Sequence, residues 1–87
     1  MKGKLLVIDD EKLICWSLQK DFGKEGYEVL TAESCAEGLK RFDEAAPDVV
    51  LLDIRLPDGD GQDLLRTFRR KDPSVSIIMI TANDGVR

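Results

Sequence analysis

The sequence predicts an α/β fold, a doubly wound parallel sheet with strand order 2-1-3-4. Short apolar segments alternate with segments of helical periodicity, which is typical of strands joined by helical crossovers. The runs 49–52 and 77–80 are apolar at every position, as expected of strands covered on both faces. With right-handed crossovers and the first and third strands at the centre, the second strand lies outside the first. At 87 residues, we expect a single small domain spanning residues 1–87.

The first strand and helix are predicted from the N-terminal 25 residues. Residues 4–8 form an apolar strand that ends in Asp9 and Asp10. Residues 12–25 are predicted as a helix because apolar residues recur every four positions. That stripe comprises Ile14, Leu18 and Phe22, and the helix is expected to end at Gly23 and Gly26. Residues 27–31 then resemble a second strand.

The second helix begins with a capping signature. Ser34 is followed three residues later by Glu37, which is the capping-box pattern. The apolar stripe behind it consists of Ala36, Leu39 and Phe42, and Pro47 ends the segment. Residues 48–53 then form the third strand, which ends in Asp53.

A turn separates the third strand from the third helix. Residues 57–59 read Pro-Asp-Gly, which is turn chemistry. The third helical stripe consists of Leu64, Leu65 and Phe68, and Asp72-Pro73-Ser74 breaks it. Residues 75–80 are predicted as a fourth strand, after which residues 81–87 are polar.

Composition excludes several classes of function. Thirteen basic and seventeen acidic residues give a net charge of −4, which argues against direct nucleic-acid binding by this chain. No apolar run is long enough to cross a membrane and no signal peptide is visible, so we expect a cytoplasmic protein. The absence of histidine excludes a Ser-His triad and a mixed His/Cys zinc site. Cys15 and Cys35 form no CxxC motif and are interpreted as reduced thiols.

Three carboxylates are expected to meet at the carboxyl edge of the sheet. Asp9 and Asp10 follow the first strand and Asp53 ends the third, and ligands bind where the winding reverses between two such strands. Charges about 4 Å apart repel by roughly 4 kcal/mol at an effective dielectric near 20. A carboxyl with a raised pKa or a divalent cation would relieve that repulsion. An all-oxygen donor set favours Mg²⁺, whereas the alternative is solvated aspartates that cap the following helices.

Asp53 has a second possible role if a cation lies beside it. A carboxylate whose neighbouring charge is neutralised can attack a phosphoryl group in line and form an acyl phosphate. The fourth strand runs into Thr81, beside the third strand. The hydroxyl of Thr81 could therefore reach a phosphoryl oxygen on Asp53, although an ordinary strand residue or helix cap is an equal alternative.

Together these segments resemble the receiver domain of two-component response regulators. The matching pieces are VIDDE at 7–11, VVLLDIRLPDGDG at 49–61 and MITA at 79–82. The resemblance implies a flavodoxin-like sheet of order 2-1-3-4-5. It also implies a regulatory phosphoacceptor domain rather than an enzyme, with a histidine kinase as the phosphoryl donor and Mg²⁺ as the cofactor.

The resemblance also assigns roles to individual residues. Asp53 is similar to the phosphoacceptor, Asp10 to a direct Mg²⁺ ligand and Asp9 to a ligand acting through water. The backbone carbonyl of Arg55 corresponds to a further metal ligand, and Thr81 to the switch hydroxyl. The fourth strand and GYEV at 26–29 are most similar to the NtrC group, whose receivers are joined to a sigma-54-activating ATPase and a DNA-binding domain and so control transcription.

The C-terminus departs from the family pattern. A complete receiver has five βα units, whereas this sequence stops at Arg87, so it is interpreted as a truncated receiver that lacks the final strand and helices. Switching is expected to be impaired. The fourth strand would then be an apolar edge, and we expect dimerisation through that edge or through swapped elements.

Two other functions are alternatives to this interpretation, and the position of one tryptophan is a separate signal. A hydrolase of the haloacid-dehalogenase type needs an acid two residues after the nucleophile, where this chain has Arg55. A receiver-like interaction or dimerisation module without phosphorylation is the main alternative. Trp16 lies off the predicted stripe of the first helix, where an interface role and partial burial are both open.

Overall fold

The computed structural model describes residues 2–80. Its strands and helices alternate along the chain, with a two-stranded hairpin before the last helix. The elements are β1 (Gly3–Ile8), α1 (Lys12–Lys24), β2 (Tyr27–Ala32), α2 (Cys35–Ala45), β3 (Val49–Asp53), β4 (Arg55–Leu56), β5 (Gly59–Asp60), α3 (Gly61–Lys71) and β6 (Ser76–Ile80).

The main sheet is parallel and has the order β2-β1-β3-β6. Since β6 is the fourth strand of this sheet, the predicted order 2-1-3-4 is confirmed. In the register of β1 and β3, Ile8 pairs with Leu52. The residue that follows each of these two is an aspartate, so Asp9 and Asp53 lie side by side at the carboxyl edge of the sheet.

The helices cover both faces of the sheet, as a doubly wound fold requires. On one face, the buried cluster contains Leu5, Val7, Leu51 and Cys15 of α1. The opposite cluster is larger and is completed by Phe42 of α2 and by Leu64 and Phe68 of α3. The rings of Phe42 and Phe68 are stacked with centroids 4.2 Å apart. This stack joins α2 and α3 into one layer.

The predicted helical stripes were partly wrong. In α1, Cys15 is buried and Ile14 is only half-buried, so the core-facing residues are Cys15, Leu18 and Phe22. In α2, Ala36 is exposed, and Gly38 lies against the side chain of Ile8 instead. In both helices the last two residues of the predicted stripe do face the core, and only the first is replaced, by a small residue one or two positions further along that packs against the sheet.

Local signals placed the helix ends well. The Ser34 hydroxyl accepts a hydrogen bond from the Glu37 amide at 3.1 Å, as the capping signature predicts. The Glu37 carboxylate accepts a hydrogen bond from the amide of Glu33 at 2.8 Å. In a standard capping box it would accept from the amide of the capping residue itself, here Ser34. The first helix ends at Lys24, so Gly23 lies inside it, and Gly26 has a φ of +100° in the turn that follows.

The predicted turn at residues 57–59 lies within a hairpin that the sequence did not predict. Strands β4 and β5 pair in antiparallel orientation, with Arg55 opposite Asp60 and Leu56 opposite Gly59. Each strand has only two residues, which is too short for an alternation of apolar and polar residues to be recognised. The hairpin lies between Asp53 and the first residue of α3.

Candidate functional site

The structure brings the three predicted carboxylates together. One ligand oxygen from each of Asp9, Asp10 and Asp53 lies within 4.8 Å of the others. Asp9 and Asp53 are buried, with 1% and 5% of their surface exposed, and Asp10 is exposed. The site is therefore an acidic centre, open on the side of Asp10, at the carboxyl edge of β1 and β3.

The loop after β1 is held by main-chain and side-chain hydrogen bonds. The amide of Asp9 donates to the carbonyl of Ala32 at 3.0 Å, which continues the β1–β2 ladder. One carboxylate oxygen of Asp9 accepts from the amide of Glu11 at 2.9 Å. The thiol of Cys15 donates to the carbonyl oxygen of Asp9 at 3.3 Å. These contacts fix Asp9 before any ligand is bound.

Burial dominates the electrostatics of Asp9. It raises the pKa of this carboxyl above its usual value, and the neighbouring charges of Asp53, Asp10 and Glu11 raise it further, against the hydrogen bond from Glu11. Folding then becomes less favourable as pH rises through this raised pKa, because the ionised form is costly in the folded chain. A bound cation would remove that cost.

Burial also controls the thiol of Cys15. It raises the pKa of Cys15 to about 11, and the charge of Asp9 adds to the effect. The thiol therefore stays protonated at neutral pH and can donate its hydrogen bond, but it is a poor nucleophile. The sequence predicts only that Cys15 is an ordinary reduced thiol and does not indicate its contact with the acidic centre. A buried cysteine one turn into a helix gives no pattern that would reveal such a contact.

The segment after Asp53 packs tightly against the acidic centre. The amide of Arg55 donates to a carboxylate oxygen of Asp53 at 3.3 Å, and the amide of Gly61 donates to the carbonyl of Ile54 at 2.6 Å. A Cβ atom on Gly61 would overlap the carbonyl oxygen of Asp53 and lie 2.9 Å from the Cα of Ile54. Only glycine allows α3 to begin this close to the end of β3.

Of the other two predicted site residues, the structure describes Arg55 but not Thr81. Arg55 lies in β4 with its side chain exposed, two residues beyond Asp53. The role of its carbonyl as a metal ligand stays a prediction. Thr81 lies outside the described residues 2–80, and so does its predicted role as the switch hydroxyl.

The chemistry of the donor set fits a hard divalent cation. All three side chains offer carboxylate oxygen, and Mg²⁺ is commonly held by one or two carboxylates together with water. Nitrogen and sulfur donors, which zinc prefers, are absent from this group of residues.

Comparison with known proteins identifies the family. The response regulator receiver domain family matches residues 5–87. The chain belongs to this family. Receiver domains are regulatory phosphoacceptor domains of two-component systems, and the family binds Mg²⁺ at an acidic pocket.

Individual relatives agree with this assignment. The alkaline phosphatase synthesis transcriptional regulatory protein PhoP of Bacillus subtilis is 38% identical over 84 residues, which cover 97% of this chain and 35% of PhoP. This receiver therefore spans about a third of that relative.

Solved receiver structures show the same fold. A CheY-like receiver domain protein of Methanospirillum hungatei has a TM-score of 0.89 and 32% identity, covering 95% of this chain and 66% of its own. NtrX of Brucella abortus, solved with ADP, has a TM-score of 0.88 and 32% identity, covering 93% of this chain and 19% of its own. These similarities support the flavodoxin-like class predicted from the sequence.

Within residues 2–80, no helix combines the length and the apolar composition that crossing a membrane requires.

Proposed function

We propose that this receiver accepts a phosphoryl group on Asp53 from a histidine kinase, with Mg²⁺ held by the acidic centre. The observation that carries the proposal is the convergence of Asp9, Asp10 and Asp53 within 4.8 Å. In this assignment Asp10 would hold the metal directly and Asp9 would hold it through water, with Asp53 and the carbonyl of Arg55 as the other protein ligands. The bound metal would neutralise charge between the carboxylates and the incoming phosphoryl oxygens.

The residues of the chain account for the positioning. An oxygen of Asp53 attacks the phosphorus in line, the new oxygen–phosphorus bond forms, and the phosphorus–nitrogen bond of the donor breaks. The electron pair of that bond stays on the donor imidazole, which takes up a proton from solvent. The amide of Arg55, 3.3 Å from one oxygen of Asp53, limits rotation of the carboxylate and leaves its other oxygen to react.

Acetyl phosphate or beryllofluoride tests the proposal without a kinase. Incubated with Mg²⁺ and acetyl phosphate, the 87-residue chain should gain the mass of one phosphoryl group, and removal of Mg²⁺ should abolish the gain. Asp53→Asn should remove the adduct. Asp43→Asn, which changes an exposed carboxylate of α2, should retain it.

The same experiment separates the proposal from its main alternative. If the folded chain forms no adduct and binds no beryllofluoride, it works as a receiver-like interaction module without phosphorylation. Circular dichroism on the same samples establishes that the chain is folded.

The output of phosphorylation is proposed from sequence similarity alone. Thr81 would act as the switch hydroxyl, and the chain would serve a transcriptional activator of the NtrC group. The similarity to NtrX supports this group, whereas the similarity to PhoP supports transcriptional control more generally.

We also propose that the chain associates with a second copy through β6. Among the described residues, β6 pairs only with β3, so its outer edge offers free main-chain groups to another strand. Ile78 of this strand is 53% exposed. It lies beside Leu51, on the face that α1 covers only in part. An identical edge of a second copy would pair with these main-chain groups and cover Ile78, directly or by exchange of elements.

A further inference from the structure

Asp58, at the tip of the β4–β5 hairpin, is hydrogen-bonded to the start of α2. One of its carboxylate oxygens accepts from the amide of Cys35 at 2.7 Å, and the other accepts from the amide of Ala36 at 3.1 Å. Each contact joins residues more than 20 positions apart in the sequence. A negative charge on free amides at a helix N-terminus is favoured by the helix dipole as well as by the hydrogen bonds.

The hairpin lies directly against α2 at this point. A Cβ atom on Gly59 would lie 3.1 Å from the sulfur of Cys35, so the main chain of the hairpin and the first side chain of the helix are in close contact. Burial raises the pKa of the Cys35 thiol to about 11, and the charge of Asp58 adds to the effect. Two independent contacts therefore connect the hairpin tip with α2.

The hairpin needs such external contacts because it is short. An isolated two-stranded hairpin is marginal in water, and here each strand has only two residues. Leu56 anchors one strand in the core, and the hydrogen bond between Gly61 and Ile54 closes the base. The tip is exposed, and Asp58 is the side chain that ties it to another element.

The hairpin in turn carries groups of the acidic centre. Arg55 opens β4, and its amide holds one oxygen of Asp53. Its carbonyl is the proposed fourth metal ligand. Displacement of the hairpin would therefore disturb both the orientation of Asp53 and the position of that carbonyl.

We propose that Asp58 is a positioning residue for the acidic centre, which preorganises Arg55 and Asp53 for Mg²⁺ by fastening the hairpin to α2. This inference rests on the proposed function, because it assumes that Mg²⁺ binds at this centre. Asp58 does not touch the metal or the phosphoryl group. It acts through the hairpin, and its removal lowers metal affinity by loosening ligands that remain present.

The test compares Mg²⁺ affinity in three variants by isothermal titration calorimetry. Asp58→Ala removes both hydrogen bonds and should weaken Mg²⁺ binding about tenfold, the lower end of the effect expected of groups that orient metal ligands. Asp58→Asn keeps one accepting oxygen, so its Mg²⁺ affinity should lie between that of Asp58→Ala and that of the unchanged chain. Ser34→Ala removes the cap that α2 supplies to itself, while leaving Asp58 and the hairpin untouched.

Hydrogen exchange gives a second measurement that does not depend on activity. Amide exchange across residues 55–60 should accelerate in Asp58→Ala and stay unchanged in Ser34→Ala. Circular dichroism and thermal unfolding establish that each variant is folded.

Several outcomes would overturn the proposal. If Asp58→Ala and Asp58→Asn weaken Mg²⁺ binding equally, only the charge of Asp58 matters. An equal loss in Ser34→Ala would show that general stability of α2 is responsible, and unchanged affinity in Asp58→Ala would show that Asp58 has no role. If the unchanged chain does not bind Mg²⁺, or binds it equally well after Asp53→Asn, the proposed function fails instead.

Discussion

Asp9 combines deep burial with a charge that the fold does not neutralise. Only 1% of its surface is exposed, yet among the described residues no lysine or arginine is paired with it. Its main compensation is one amide hydrogen bond. The ionised side chain therefore destabilises the folded chain, and a bound cation would relieve that cost.

Replacing this charge should stabilise the metal-free chain. In Mg²⁺-free buffer at neutral pH, Asp9→Asn should raise the free energy of unfolding by about 1 kcal/mol. The variant should therefore unfold at a higher temperature than the unchanged chain. Because the pKa of Asp9 is raised in the folded state, the advantage should shrink as pH falls through that pKa, where the unchanged chain takes up a proton. Thermal unfolding across pH measures both effects.

Glu28→Gln is a suitable control for Asp9→Asn, since it removes an exposed carboxylate of β2. It should leave the stability nearly unchanged. A destabilised Asp9→Asn variant in the absence of Mg²⁺ would contradict this account of the acidic centre.

Gly61 offers a second test at a single position. Gly61→Ala places a methyl group against the carbonyl of Asp53 and the Cα of Ile54, and should lower the free energy of unfolding by about 1–3 kcal/mol. Gly23→Ala in α1 is its control, because a Cβ there meets nothing within 4 Å and alanine is the better helix former. Denaturant unfolding should show a lower free energy of unfolding for Gly61→Ala and a higher one for Gly23→Ala.

Charged residues of the acidic centre were predicted better than the apolar residues beneath it. Asp9, Asp10 and Asp53 follow apolar runs, and in a parallel sheet that position alone brings them to one edge. Ile14 was predicted to face the core and Cys15 was not, because both fit a helical face and only the packing angle of α1 against the sheet decides between them. Contacts such as those of Cys15 and Asp58 depend on the tertiary fold and leave no local pattern.

At the scale of elements, strands and helices were predicted correctly where a run of four or more residues showed one periodicity. The hairpin between Asp53 and α3 was missed since its strands are two residues long, and the Pro-Asp-Gly sequence indicated only the turn. The start of α2 followed from Ser34 and Glu37, but the additional cap from Asp58 comes from another part of the chain.

The end of α2 contains a residue in an unfavourable conformation. Ala46 caps this helix with φ 49° and ψ 64°, in the left-handed region where glycine is preferred. Its amide still donates to the carbonyl of Phe42 at 3.0 Å. The position is exposed, so a change there should act through the backbone alone.

Ala46→Gly should therefore stabilise the chain by about 0.5–1 kcal/mol. Ala36→Gly, an exposed position in the first turn of the same helix, should be destabilising by a similar amount. Urea unfolding of the pair gives the comparison, and a loss of stability in Ala46→Gly would show that the left-handed conformation carries no strain.

On the scale of the whole molecule, the elements within residues 2–80 cover the two faces of the sheet unequally. The layer of α2 and α3 buries one face, whereas α1 lies mainly over β1 and β2 and leaves Ile78 of β6 exposed. The topology of this arrangement was predictable from the alternation of segments. The extent to which one helix covers a four-stranded sheet was not, because it depends on where that helix packs.

Self-association through β6 predicts a concentration-dependent dimer. Sedimentation velocity should detect it in the unchanged chain, and Ile78→Lys should shift the equilibrium toward monomer, since it places charges in the contact. Leu13→Lys is the matched control, because Leu13 is also an exposed apolar residue, but on α1, 72% exposed. A chain that remains monomeric at high concentration would reject the proposed dimer.

The two cysteines lie on opposite sides of the sheet. Cys15 belongs to the core beneath α1, and Cys35 packs against the core beneath α2 and α3, so no disulfide joins them. The chain contains no other cysteine. Cys15 is buried whereas Cys35 is only partly buried, so reaction of Cys15 with a thiol reagent requires the layer beneath α1 to open and reports on that side of the molecule alone.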